Sequence, residues 1–165
     1  MATTKSSKSA KKPARGPDAI ALLKEDHKKV KSLFADLEKS SMRSGPRAQK
    51  LVAQIDKELT IHTQIEEEIF YPAFRDAVST KDDRKMYYEA KEEHHVVKLV
   101  LPEVSEGGMA IEEFAAKCKV LKELVEHHAD EEEKEMFPEA RKVLSRPELQ
   151  ELGERMAMRK KELGA

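Results

Sequence analysis

The pattern His-x-x-x-Glu followed six residues later by Pro occurs twice in this chain, 66 residues apart: His62-Thr-Gln-Ile-Glu66-Glu-Glu-Ile-Phe-Tyr-Pro72 and His128-Ala-Asp-Glu-Glu132-Glu-Lys-Glu-Met-Phe-Pro138. On a helix, residues four apart stand one turn above each other on one face, so each copy sets an imidazole beside a carboxylate. These are ligand types for a metal ion. Cys118 is the single cysteine, so it has neither a disulfide partner nor a second thiolate for a metal site. Any metal is therefore held by nitrogen and oxygen.

Positioning these pairs requires long helices, and the apolar periodicity supplies four. In the first, Ile20, Leu23, Val30, Phe34 and Leu37 form a stripe with His27 in its middle. Leu51, Ile55, Leu59, Ile69 and Ala73 enclose His62 and Glu66. Tyr87, Ala90, Val97 and Leu101 enclose His94, and Phe114, Cys118, Leu121, Val125 and Met136 enclose His128 and Glu132. All six ligand candidates thus face the core. His95 and His127 are turned about 100° off these stripes and are second choices, as is the pair His127 and Glu131.

Two carboxylates inside a helical bundle each cost several kcal/mol, on the order of a buried unpaired charge, and no Lys or Arg lies on the stripes to neutralise them. A bound cation resolves this, keeping the imidazoles neutral and the carboxylates ionised. Four imidazoles and two carboxylates exceed the needs of one tetrahedral zinc. Two bridging carboxylates suit a pair of octahedral ions, for which iron fits best, with manganese or a mixed pair as the alternative. Six side chains leave open positions for water or a small ligand.

The 165 residues fit one domain, and 38% charged with 5% aromatic residues suits long solvated helices. The expected fold is all-α: an up-down-up-down four-helix bundle over residues 18–144, with a short C-terminal helix over 145–165 packed on it. Gly45 with Pro46, Thr80 with Asp83, and Gly107 with Gly108 mark the turns, and Ser145 with Glu148 caps the last helix. Pro72 and Pro138 are expected to kink their helices. Phe70, Tyr71, Met136 and Phe137 are expected as packing residues, with the Tyr71 hydroxyl within reach of a metal. Residues 1–17 are expected to form a disordered basic tail, with five bases and no acid up to residue 16, leaving 26 basic against 32 acidic residues elsewhere. Such a tail permits nucleic-acid contact but more often serves solubility. Neither a secretory signal nor a membrane span is recognisable, so a cytoplasmic location is expected.

At these residues the chain resembles the hemerythrin family, in the branch of hemerythrin-like or HHE cation-binding domains. The likeness spans about residues 18–144 and rests on Asp26-His27, His62 to Glu66 with Phe70-Tyr71-Pro72, Glu92-Glu93-His94, and His128 to Glu132 with Phe137-Pro138. The resemblance implies a left-handed four-helix bundle around two iron ions, a non-heme diiron-oxo centre bridged by Glu66 and Glu132. It implies that His27 and His62 serve one iron and His94 and His128 the other. Oxygen-carrying members have a further His where this chain has Lys98, and both repeats here lack the carriers' longer His-to-carboxylate spacing. The remaining ligand is then water, Glu67, Tyr71 or His95. The function expected is binding of O2, peroxide or NO at an open iron position. A peroxide-decomposing (catalase- or peroxidase-like) or oxidase-type diiron enzyme and an iron-dependent regulatory or interaction protein are the alternatives.

Overall fold

A computed structural model describes residues 16–40 and 45–165. The expected basic tail up to residue 15, and residues 41–44 of the first turn, lie outside the described residues. These form α1 (Ala19–Lys39), α2 (Pro46–Ile65), α3 (Tyr71–Ala77), α4 (Lys81–Glu106), α5 (Ile111–Glu131), α6 (Phe137–Val143) and α7 (Arg146–Glu162). Two π-helical turns, π1 (Glu66–Phe70) and π2 (Glu132–Met136), join α2 to α3 and α5 to α6 without a break. There is no strand among the described residues.

Local chemistry sets the helix starts. The Asp18 carboxylate accepts the Ala21 N–H at 2.8 Å, and Thr80 Oγ1 accepts the Asp83 N–H at 3.1 Å. Pro46 opens α2, where the missing N–H costs nothing. Ser145 and Glu148 complete a reciprocal capping box at α7. Gly107, at φ +68°, ends α4 in a conformation that side chains resist.

α1 packs against α2 and α5, and α4 packs against the same two helices, so each long unit of the helical bundle has two neighbours. The apolar interior divides in two. One cluster holds Leu23, Phe70, Tyr71, Phe74 and Phe137, and the other Val30, Phe34, Ile55, Leu59 and Leu121. A buried polar layer of His27, His62, Glu66, His94, His128 and Glu132 separates them. On each helical unit the polar residue is flanked by one cluster on one side and the other cluster on the other, as His27 is by Leu23 and Val30.

α7 lies across α1 and the α2–π1 segment and adds Leu149, Leu152 and Met156 to the first cluster. Its approach is set by Gly153, where a Cβ would stand 2.7 Å from the Asp18 carbonyl carbon and 2.8 Å from Ala19 N. Backbone cannot yield as a flexible side-chain tip would. Gly153→Ala is therefore expected to destabilise the protein by about 1–3 kcal/mol through overpacking, which denaturant unfolding measures directly.

Candidate metal centre

The two π turns begin at the two glutamates of the repeated motif. In each, the N–H five residues on, that of Tyr71 or Phe137, returns to the Glu66 or Glu132 carbonyl. Pro72 and Pro138 follow directly as early residues of α3 and α6. The expected proline kink is thus met by a widened turn, which gives the proline ring space beside the preceding carbonyls. The turn also changes the helix phase. Tyr71 is nine residues from His62, which in an unbroken α-helix places it about 180° away; taking up one residue in a π turn returns it by about 100° toward the ligand face. Tyr71 is accordingly fully buried, whereas Ala73, expected on the apolar stripe, is half-buried.

All six candidates are brought together in two overlapping groups. His27, His62, Glu66 and Glu132 each offer an atom within 4.8 Å of the others, and so do Glu66, His94 and His128. Glu66 Oε2 lies 3.2 Å from both His62 Nε2 and His94 Nε2. Glu132 Oε2 lies 3.1 Å from His27 Nε2 and 3.6 Å from His128 Nε2. Each carboxylate therefore faces one imidazole from each half of the chain, the arrangement a bridging group needs.

Every imidazole turns its Nδ1 away from this centre toward another carboxylate. His27 meets Glu133 at 2.9 Å, His94 meets Glu67 at 2.9 Å, His128 meets Glu93 at 2.7 Å, and His62 meets Asp26 at 3.4 Å. An Nδ1–H donated outward leaves the Nε2 lone pair directed inward, and carboxylate partners of this kind fix the ring and raise its basicity toward a metal. Sequence reasoning missed Asp26, Glu93 and Glu133 in this role. The signal was present: each acid adjoins one of the six in sequence, as Asp26 adjoins His27, Glu67 Glu66, Glu93 His94 and Glu133 Glu132.

The centre is electrostatically unsatisfied by protein alone. His27 Nε2, His62 Nε2, both Glu66 oxygens and Glu132 Oε2 are buried without a hydrogen-bond partner. Burial and the neighbouring Glu132 push the Glu66 carboxyl well above the ordinary range. Burial would raise Glu132 also, but the imidazoles of His128 and His27 outweigh it and hold it well below. For His27 and His128, burial opposes charge and is outweighed by carboxylates, Glu132 foremost, so both are raised above 6.5. His62 goes the other way: burial lowers it to about 4 despite its bond to Asp26. Protons on Glu66, His27 and His128 thus occupy the positions that a cation fits.

The alternatives for a further ligand separate clearly. Glu67 stands behind His94, at its Nδ1, and its carboxylate is held by Lys98 Nζ at 2.6 and 2.7 Å. The His94 hydrogen bond, with Lys98 adding to it, lowers Glu67 to about 2. Lys98 is thus turned outward to orient an orienting group. His95 is exposed and stands outside both groups. His127 is exposed too and clusters only with Glu93 and Glu131. Tyr71 enters the centre: its hydroxyl donates to Glu132 Oε1 at 2.8 Å and lies 3.2 Å from His94 Nε2 and 3.4 Å from His128 Nε2. The equivalent residue of the second repeat is Phe137, stacked on His27 with ring centres 5.8 Å apart. At this position the two repeats differ by one hydroxyl.

A helical bundle wrapped around buried, overlapping histidine and glutamate clusters defines a cation-binding helical protein. The sequence profile of the Hemerythrin HHE cation binding domain matches residues 18–140, and the chain belongs to that family. Its fold matches a crystal structure of a Hemerythrin HHE cation binding domain-containing protein from Mycobacterium kansasii with a TM-score of 0.76 and 29% identity, covering 90% of this chain and 88% of that one. It is 29% identical over 147 residues to uncharacterised proteins of Mycobacterium bovis and Mycobacterium tuberculosis, covering 88% of this chain and 87% of each. It is also 31% identical over 124 residues, 75% of its length, to a DNA nickase of Nostoc sp., of which it spans 34%. No helix among the described residues is long and apolar enough to cross a membrane.

Proposed function

We propose that the chain holds two iron ions and binds an uncharged diatomic molecule, O2 or NO, beside them. The four helical units are read as an up-down-up-down bundle, with His27 and His62 holding one ion, His94 and His128 the other, and Glu66 and Glu132 between them. The buried lone pairs of His27, His62, Glu66 and Glu132 support this ligand set. Bound there, iron supplies a Lewis-acidic, redox-active centre. Tyr71 contributes a proton held on its hydroxyl between Glu132 and the two imidazoles of the second group.

The observation that carries the choice of ligand is a cavity of about 20 Å³ directly against the imidazoles. Its walls include all four histidines and one aliphatic residue from each unit: Val30, Leu59, Val97 and Val125. Asp26, Lys31, Thr63 and Ala129 complete the walls; a space of this size takes about one water-sized molecule, and the aliphatic floor itself offers it no hydrogen-bond partner. An uncharged diatomic fits best. Peroxide decomposition at the same centre is the alternative; it needs a proton donor beside the ligand, for which Thr63 and Lys31 in the cavity wall and the Tyr71 hydroxyl are the candidates.

The test uses the full chain reconstituted with ferrous iron without air and titrated with NO under a visible spectrum. Reversible stoichiometric binding is expected. Val97→Leu and Val125→Leu add roughly one methylene each, about the volume of the void, and are expected to retain iron while weakening NO binding by about tenfold. Unchanged NO affinity in both variants, or rapid catalytic loss of excess peroxide with no NO binding, contradicts the proposal.

A further inference from the structure

Each of the four carboxylates behind an imidazole has a basic side chain on its outer side. Glu67 has Lys98 at 2.6 Å, Glu93 has His127 at 3.6 Å, and Glu133 has Lys24 at 3.9 Å. Those three basic residues belong to α4, α5 and α1, with side chains about half exposed or more. Asp26 differs. Its partner is Lys160, from α7, with a side chain only 18% exposed, and Asp26 itself is 9% exposed where the other three carboxylates are 23–32%. Water compensates the three outer carboxylates if these partners leave. It reaches Asp26 poorly, so loss of Lys160 leaves a buried carboxylate with only His62 beside it.

The geometry divides the work between the two Asp26 oxygens. Lys160 Nζ takes Oδ1, which leaves Oδ2 to face His62 Nδ1. Lys160 is itself held by the docking of α7: Met156 is fully buried and Gly153 lies against the α1 start. A chain of contacts therefore runs from α7 through Lys160 and Asp26 to one imidazole of one cluster. The corresponding chain in the other half ends at exposed His127. The family's sequence profile stops at residue 140, before α7 begins.

We propose that Lys160 is a positioning residue for the ion at His27 and His62, so that docking of α7 sets how firmly that ion, and not its neighbour at His94 and His128, is retained. The inference rests on the two-iron reading above. α7 then belongs to the metal centre as well as to the apolar core.

The experiment mixes the ferrous, air-free, full-length protein with excess ferrous chelator and follows iron release. From the wild type, two equivalents are expected. In Lys160→Met, one equivalent should leave about tenfold faster while the other changes by less than about twofold, since loss of an outer partner typically costs about 10–100-fold in metal affinity. Lys160→Arg should restore slow release, and Asp26→Asn should reproduce the selective loss. Arg159→Met, which cuts only the solvent-exposed pair of that helix with Glu68 and leaves the buried seats of Met156 and Gly153 intact, should leave both phases unchanged. Melting of the metal-free variants verifies folding, and Lys160→Gln replaces the Met variant if that one fails to fold. Unchanged release in the Lys160 variants, equal acceleration of both equivalents, or the same effect from Arg159→Met overturns the inference. Fewer than two equivalents from the wild type overturns the two-iron reading first, and the inference with it.

Discussion

Glu66→Gln is expected to leave the metal-free protein as stable as the wild type or more so, and to abolish tight binding of both ions together. In the metal-free chain, burial and Glu132 favour the protonated form of Glu66, which an amide imitates closely in shape and charge. Its two oxygens are buried without partners, so little hydrogen bonding is lost. A bridging role, in contrast, needs a carboxylate, and Glu66 belongs to both clusters. At metal concentrations about 1,000 times the dissociation constant, one ion stabilises the folded state by about 4 kcal/mol. For a chain of this size that corresponds to a rise in Tm of about 10 °C, present in the wild type and absent in the variant. Thermal melts of both proteins with and without ferrous iron measure it. Loss of only half the metal-dependent rise would assign Glu66 to a single ion. Glu66→Ala is the useful contrast, since the void it leaves lowers stability in both states.

The second large effect concerns pH: the metal-free protein should lose stability as pH rises above 6.5 while the metal-loaded protein stays level. His27 and His128 have folded-state values raised above 6.5, so the stability they contribute is complete below 6.5 and is lost as pH rises through the raised values. Glu66, also raised, adds to the same trend. His62, lowered to about 4, is neutral in both states above its ordinary 6.5 and does not oppose the trend there. The metal-free protein should therefore lose stability from pH 6.5 upward. Metal binding requires those protons to leave, so over the same interval metal affinity should rise, by about tenfold per pH unit for each proton displaced. The separation between loaded and metal-free Tm should accordingly widen on going from pH 6.5 to 8. Parallel melting curves across that range would show that Glu66, His27 and His128 release no protons to the metal.

The sequence made the six central residues legible because their type and helical phase agree: an imidazole or carboxylate on an apolar stripe is costly, and six of them on four stripes converge. The helices were legible for the same reason, and their starts followed from Pro46, Thr80 and Ser145 with Glu148. Tyr71 was expected as a packing residue with its hydroxyl within reach of a metal, but its place between Glu132 and two imidazoles depends on the π turn, which is set by tertiary fit around Glu66 as well as by Pro72. The carboxylates behind the imidazoles were hidden by the charge of the chain, in which 32 acidic residues make an acid beside a ligand unremarkable until its partner across the bundle is known. Asp26 reaches His62 36 residues away and Glu133 reaches His27 106 residues away, relations that no local spacing encodes. Lys160 was hidden more deeply still, since its partner Asp26 is 134 residues distant and in another element. The apolar cavity was half visible: Val30, Leu59, Val97 and Val125 were recognised as stripe residues, but that they stand one turn from the four histidines as a common floor depends on the register of the helices.

The most direct test of the metal centre is an anomalous-difference map at the iron edge, from crystals of protein reconstituted anaerobically with ferrous iron. Two peaks about 3.5–4 Å apart are predicted, one beside His27 and His62 and one beside His94 and His128, with Glu66 and Glu132 between them. A single peak, or iron at the surface group of Glu93, His127 and Glu131 with none in the buried layer, would contradict the account.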